Sequence, residues 1–177
     1  MLSNATAKNE EQHELWWSIY AWWSCVLVLK MMYLTWRTGK IRVEHQVIHS
    51  EEDKMWMTKK PEIILCPTGN GHPDVERIRY AHQKDLETIL PFLIIVPLWL
   101  NVETCNFIVR VLIPTFALAN ILYTSIHMQL LQMSSRWKSY SFMTMYSSLS
   151  YICITTAVEY SEHAITLPTL AFSFSIS

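Results

Sequence analysis

The charged stretch from Asp74 to Glu87 holds the residues whose types and spacing could do chemistry. Arg77, Arg79, His82, Lys84, Asp85 and Glu87 fall close together there and run straight into the apolar segment Ile89 to Leu100. At about 100° per residue, Glu76, Arg77, Tyr80, Gln83, Lys84 and Glu87 would share an arc of about 120° on a helix. Arg79 and His82 would lie to one side of that arc, and Asp85 would stand apart. Such a stripe offers cations to the carboxylates of a zwitterionic or polyanionic small molecule, and Glu87 to its ammonium. The same residues could instead form an ion-pair ladder, with Arg77 or Lys84 meeting Glu87 or Asp85. Ionisable groups at an apolar boundary are expensive and usually face a bundle interior or a wet cavity. A second candidate is Arg136, with Tyr140 one turn later on the same face. An arginine beside a bound thiol would favour the thiolate; the plainer reading makes Arg136 and Lys138 interface anchors. Lys30, within an apolar segment, is expected to snorkel towards the same end, where Arg42 also lies.

These residues need elements to hold them, and the sequence supplies four apolar segments: about Leu15–Trp36, Leu86–Leu100, Phe107–Leu131 and Tyr140–Val158. A spanning helix takes roughly 20 mainly apolar residues. The second segment is short, so its charged turns, about 16 Å at ~1.5 Å per residue, must protrude or be covered by neighbours. Trp16, Trp17 and Trp36 stand where aromatic anchors of a spanning helix would. Pro91, Pro97 and Pro114 lie within predicted spans and each removes a backbone donor; neighbours must satisfy the freed carbonyls. The expected fold class is an all-α membrane protein, a four-transmembrane-helix bundle in a single domain over residues 1–177. Its helices cover about 15–36, 74–100, 107–131 and 138–158, with a loop at 42–73 and a tail at 159–177.

Composition narrows the function. Of 177 residues, 51% are hydrophobic and only 16% charged, which points to lipid surroundings, since soluble domains carry roughly 25% charged residues. A net charge of −1 gives no support for nucleic-acid binding. Three glycines exclude a phosphate-cradling loop, and four scattered cysteines indicate neither a zinc site nor a disulfide framework. His45 and His49 have helical spacing but no third ligand, so no metal is expected. Met1 to Glu14 lacks the basic start of a cleaved signal peptide, and the first segment is expected to be retained. The first-to-second connection carries Lys40, Arg42, Lys54, Lys59, Lys60, Arg77 and Arg79 and the third-to-fourth Arg136 and Lys138, so both are expected on the cytoplasmic side and both termini opposite.

Glu76 to Glu87, followed by Pro91-Phe92, resembles the second-helix motif of the microsomal glutathione transferases. These are among the membrane-associated proteins in eicosanoid and glutathione metabolism (MAPEG). Val28 to Met32, Thr38 to Arg42 and Glu52-Asp53 resemble that family's first helix and following loop. The resemblance is specific from Cys25 to Leu100 and identifies the chain as a divergent member. It implies a homotrimer of four-helix subunits, glutathione bound between subunits at the cytoplasmic end, and a membrane of the endoplasmic reticulum or the outer mitochondrion. Arg42, Arg79, Tyr80, His82, Lys84, Glu87 and His127 match positions that hold or support glutathione. Asp53, Arg136 and Tyr140 match positions with a catalytic role. Lys84 and Tyr80 stand where the family has asparagine and arginine, and Asn120 replaces a further arginine. The expected function is conjugation of glutathione thiolate to a lipophilic electrophile arriving from membrane lipid, with reduction of lipid hydroperoxides by the same thiolate. The alternatives are a catalytically impaired scaffold or binding protein, and a prostaglandin E synthase-type isomerase.

Overall fold

A computed structural model describes the backbone of residues 2–44, 47–48, 64–65, 73–102 and 105–174, and the side chains of 10–44, 73–102 and 105–161. It contains four long helices: α1 (Leu2–Glu44), α2 (Pro73–Trp99), α3 (Asn106–His127) and α4 (Ser135–Phe174). Two short strands, β1 (Val47–Ile48) and β2 (Ile64–Leu65), pair in parallel within the α1–α2 connection, Val47 opposite Ile64. The architecture is all-α with four helices, and two of them, α1 over Glu10–Glu44 and α3, are long and apolar enough to cross a membrane.

Each helix buries one stripe. Val75, Ile78, Ala81, Asp85, Ile89, Phe92, Val96 and Trp99 form that of α2, at steps of three and four residues. Val109, Ile113, Phe116, Asn120 and Tyr123 do so on α3. The two stripes meet where the fully buried rings of Phe92 and Phe116 stack, 4.2 Å apart and 4° from parallel. Leu27 and Leu34 are the buried contacts of α1. On α4 the stripe is Ser141, Met145, Ser148, Ile152 and Thr156, alternating small hydroxyls with larger apolar groups. Those hydroxyls bond the carbonyls of Trp137, Thr144 and Ile152 at 2.8–2.9 Å. The helix thus satisfies its own polar groups and lets neighbouring backbones approach closely.

One proline is compensated across helices. Pro97 cannot donate to the carbonyl of Leu93, and the Tyr20 hydroxyl of α1 donates to that oxygen at 2.9 Å.

Helix ends depart from the apolar segments. α1 continues past Trp36 to Glu44 in spite of Gly39, with a Lys40–Glu44 pair at 3.7 Å in its last turns. Its 43 residues span about 64 Å, beyond a ~30 Å hydrocarbon core. α4 runs to Phe174, its backbone continuing through Pro168. α3 stops earlier than its apolar run, at His127. There Gln129 takes a left-handed backbone (φ 57°), its N–H bonds the Ile126 carbonyl, and the Leu130 N–H bonds that of Ser125. This is a Schellman ending, usually built on glycine.

Candidate functional site

The deepest polar group of the bundle comes from three helices. Lys30 of α1 reaches inward to the Asp85 carboxylate of α2 at 2.8 Å. Its ammonium also donates to Asn120 Oδ1 at 2.5 Å and Thr124 Oγ1 at 2.6 Å, both on α3. Thr124 Oγ1 lies 3.3 Å from Asp85 Oδ1, and Asn120 Nδ2 donates to Thr88 Oγ1 at 3.2 Å. Asp85 and Asn120 are 1% exposed and the Lys30 side chain 12%. The expectation that Lys30 snorkels is therefore corrected. A carboxylate and two further oxygens inside the bundle replace the water it would otherwise seek, and a buried charge needs such a partner. Asp85 standing apart from the stripe was the visible signal for this layer. Nothing in the spacing pointed to Thr88 or Thr124.

Above this layer the α2 stripe is arranged partly as a ladder. Lys84 and Glu87 pair at 2.6 Å, and Gln83 also donates to Glu87 at 3.3 Å. The Glu87 hydrogen bond holds the Lys84 ammonium above its usual pKa, so the lysine is charged at any neutral pH. Arg77 pairs with Asp74 at 3.2 Å. Arg79 and Tyr80 are exposed. His82 is half-buried, and its Nδ1 lacks a hydrogen-bond partner among the described residues. The Tyr80 ring lies 5.2 Å from that of His127, and the Lys84 ammonium 5.9 Å over Tyr80.

The structure thus brings Tyr80, Lys84, Glu87 and His127 into one neighbourhood, together with Tyr123 and Lys138, neither of which was singled out for the site. Tyr123 stacks on His127 at 6.1 Å, and Lys138 meets His127 Nδ1 at 2.7 Å. Arg42 is half-buried in the last turn of α1, outside this group of contacts. Arg136 is exposed in the first turn of α4, and Tyr140, 63% exposed, packs against Trp137. Asp53 lies outside the described residues. Among the described residues no three His, Cys, Asp or Glu side chains gather as a metal site would require.

The donor set suits a ligand carrying both carboxylates and an ammonium. Arg79 and Lys84 supply cations, Glu87 an acceptor, and His82 Nδ1 a buried polar atom without a bond among the described residues. Helices of spanning length, a buried inter-helix ion pair and a polar mouth at one end define a bundle consistent with a membrane protein. The chain matches the MAPEG family over residues 20–158, and it belongs to that family. It is 28% identical over 118 residues to the prostaglandin E synthase of Bos taurus, covering 67% of this chain and 73% of that one. It is 37% identical over 70 residues to the prostaglandin E synthase of Rattus norvegicus, covering 40% of this chain and 42% of that one.

Proposed function

We propose that this protein is a glutathione-dependent membrane isomerase of the prostaglandin E synthase type. The observation that carries the reading is the similarity to two prostaglandin E synthases within a family match that includes the whole polar stripe. It takes precedence over general conjugation of glutathione to electrophiles, the reading the residues alone favoured, because both relatives bear the name prostaglandin E synthase. The substrate class is a lipophilic endoperoxide that reaches the bundle from the bilayer.

Glutathione held by Arg79, Lys84 and Glu87 would supply a thiolate for the isomerisation of an endoperoxide to a keto-alcohol, a reaction with no net consumption of glutathione. The chain's own residues bind and orient. Lys84 and Arg79 hold carboxylates and Glu87 an ammonium, with charge-assisted bonds that fix the thiol end. The Lys30–Asp85 layer beneath positions α2 against α1 and α3, so the stripe keeps its geometry. Arg42, Arg136 and Tyr140 complete the site from a neighbouring subunit of a homotrimer, which suits their positions outside the group formed within one chain. Arg136 there favours the thiolate, since a nearby cation lowers a thiol pKa, and Asp53 and Tyr140 assist the proton transfers. The membrane is that of the endoplasmic reticulum.

Purified protein in detergent, given glutathione and a fatty-acid endoperoxide, should yield the keto-alcohol isomer while glutathione is recovered in full. Loss of one glutathione per product would replace the isomerase with a conjugating transferase. No product and no glutathione binding at millimolar concentration would leave the scaffold reading.

A further inference from the structure

The end of the bundle away from the stripe carries a cation that neither the core nor the proposed reaction uses. Arg110 is exposed in the second turn of α3, inside the apolar segment that begins at Phe107. Ionisable residues within spanning helices almost always face a bundle interior or pair with one another. Arg110 does not face the interior, and it has no ion pair among the described residues. We propose that Arg110 binds the phosphate of a zwitterionic phospholipid in the leaflet at the α2–α3 turn.

The guanidinium is oriented. Its Nε donates to Asn106 Oδ1 at 3.1 Å, and the same oxygen accepts the indole N–H of Trp16, on α1, at 2.9 Å. Asn106 thus ties Arg110 to α1 through one of the roughly five N–H donors of an arginine. The others, on the two terminal nitrogens, form a fork that matches a pair of phosphate oxygens. Trp16 and its neighbour Trp17 set the depth, because tryptophans gather where headgroups meet hydrocarbon, and the Asn106 bridge keeps Arg110 level with them. The hydrocarbon half has a path as well. Phe107, Val111 and Leu118 are exposed and fall within about 40° of one another around α3, with Arg110 at the edge of that face. An acyl chain can follow it towards the midplane while the phosphate stays at the guanidinium. Charge selects the headgroup. The exposed Glu10, Glu11 and Glu14 stand in the turns of α1 beyond Trp16, roughly 3–9 Å along the axis at ~1.5 Å per residue. That is about one Debye length at physiological salt, so they oppose a second negative charge on the lipid and favour an ammonium above the phosphate.

The test uses delipidated full-length protein in detergent, without glutathione and without turnover, so its outcome is separate from that of the isomerase reading. Native mass spectrometry counts the lipid retained after addition of phosphatidylcholine or of a diacylglycerol with the same chains. Phosphatidylcholine should bind about tenfold more tightly, the effect of one well-placed charge-assisted contact. Arg110→Gln should abolish that preference, and Arg110→Lys, which keeps the charge and loses the fork, should keep only part of it. Circular dichroism melts would show both variants folded. Equal retention of the two lipids, or a preference that survives Arg110→Gln, would overturn the proposal. So would displacement by free phosphocholine at concentrations equal to those of the lipid, which would make it a site for soluble phosphate esters. Tighter binding of phosphatidylglycerol than of phosphatidylcholine would overturn the zwitterion assignment.

Discussion

Two kinds of charge pair coexist on α2, and they should respond differently to substitution. Lys30–Asp85 is a buried inter-helix pair with neutral hydrogen-bond partners, so removing one member strands the other. Lys30→Met is expected to destabilise by about 3–5 kcal/mol. The double change Lys30→Met with Asp85→Leu should cost less than Lys30→Met alone. Reversible denaturation in mixed detergent would measure this; additive costs would show that the two groups do not interact. Lys84–Glu87 is an exposed pair within one helix, and such pairs matter little to folding. Lys84→Gln should leave the thermal midpoint nearly unchanged and weaken glutathione binding about tenfold, the order of one charge-assisted hydrogen bond. Unchanged affinity would remove Lys84 from the site. The ladder was readable from i, i+3 spacing, because both partners sit on one helix. The Lys30 layer was not, because its partners are 55 to 94 residues away and only the fold brings them together.

At the scale of elements, four helices were legible as apolar runs, but their ends were not. α1 and α4 outlast their apolar stretches, running through Gly39 and Pro168 where the sequence suggested a break, and α3 ends on a Gln129 turn that no glycine announced. The interior prolines were visible; which neighbour would answer them was not. The Tyr20 hydroxyl on the Leu93 carbonyl is the answer for Pro97. Tyr20→Phe is expected to cost about 1 kcal/mol, leaving that carbonyl unbonded. In a Pro97→Ala background, where an amide N–H is restored at position 97, the same change should cost almost nothing. An equal cost in both backgrounds would mean that Tyr20 acts through its ring, which lies 6.3 Å from Phe92.

For the whole molecule, we propose that the α1–α2 connection faces the cytoplasm and the α2–α3 turn lies opposite, from the lysines and arginines of that connection. The cysteines report on this directly. An impermeant maleimide should label Cys66 in vesicles whose cytoplasmic face is outward, and the exposed Cys105 only after permeabilisation. The reverse pattern would invert the orientation. Cross-linking in native membranes should give a trimer, with Arg42, Arg136 and Tyr140 near its contacts; a dimer as the largest product would rule out the shared site. The sequence carried family and helix count clearly, since both rest on local pattern. It carried the site's composition less well, because Lys138 and Tyr123 join His127 only through the packing of α3 against α4.

The buried Lys30–Asp85 pair also bears on how the chain enters a bilayer. A lysine or an aspartate at the centre of a lone helix costs roughly 2.5–3.5 kcal/mol on insertion. α1 and α2 carry one each, and the charges neutralise only when the two helices lie together. The first two helices should therefore partition into lipid as a hairpin, with α1 waiting at the insertion machinery until α2 has been synthesised. α3, which has no buried charge of its own among its described residues, can follow unaided and close the layer with Asn120 and Thr124.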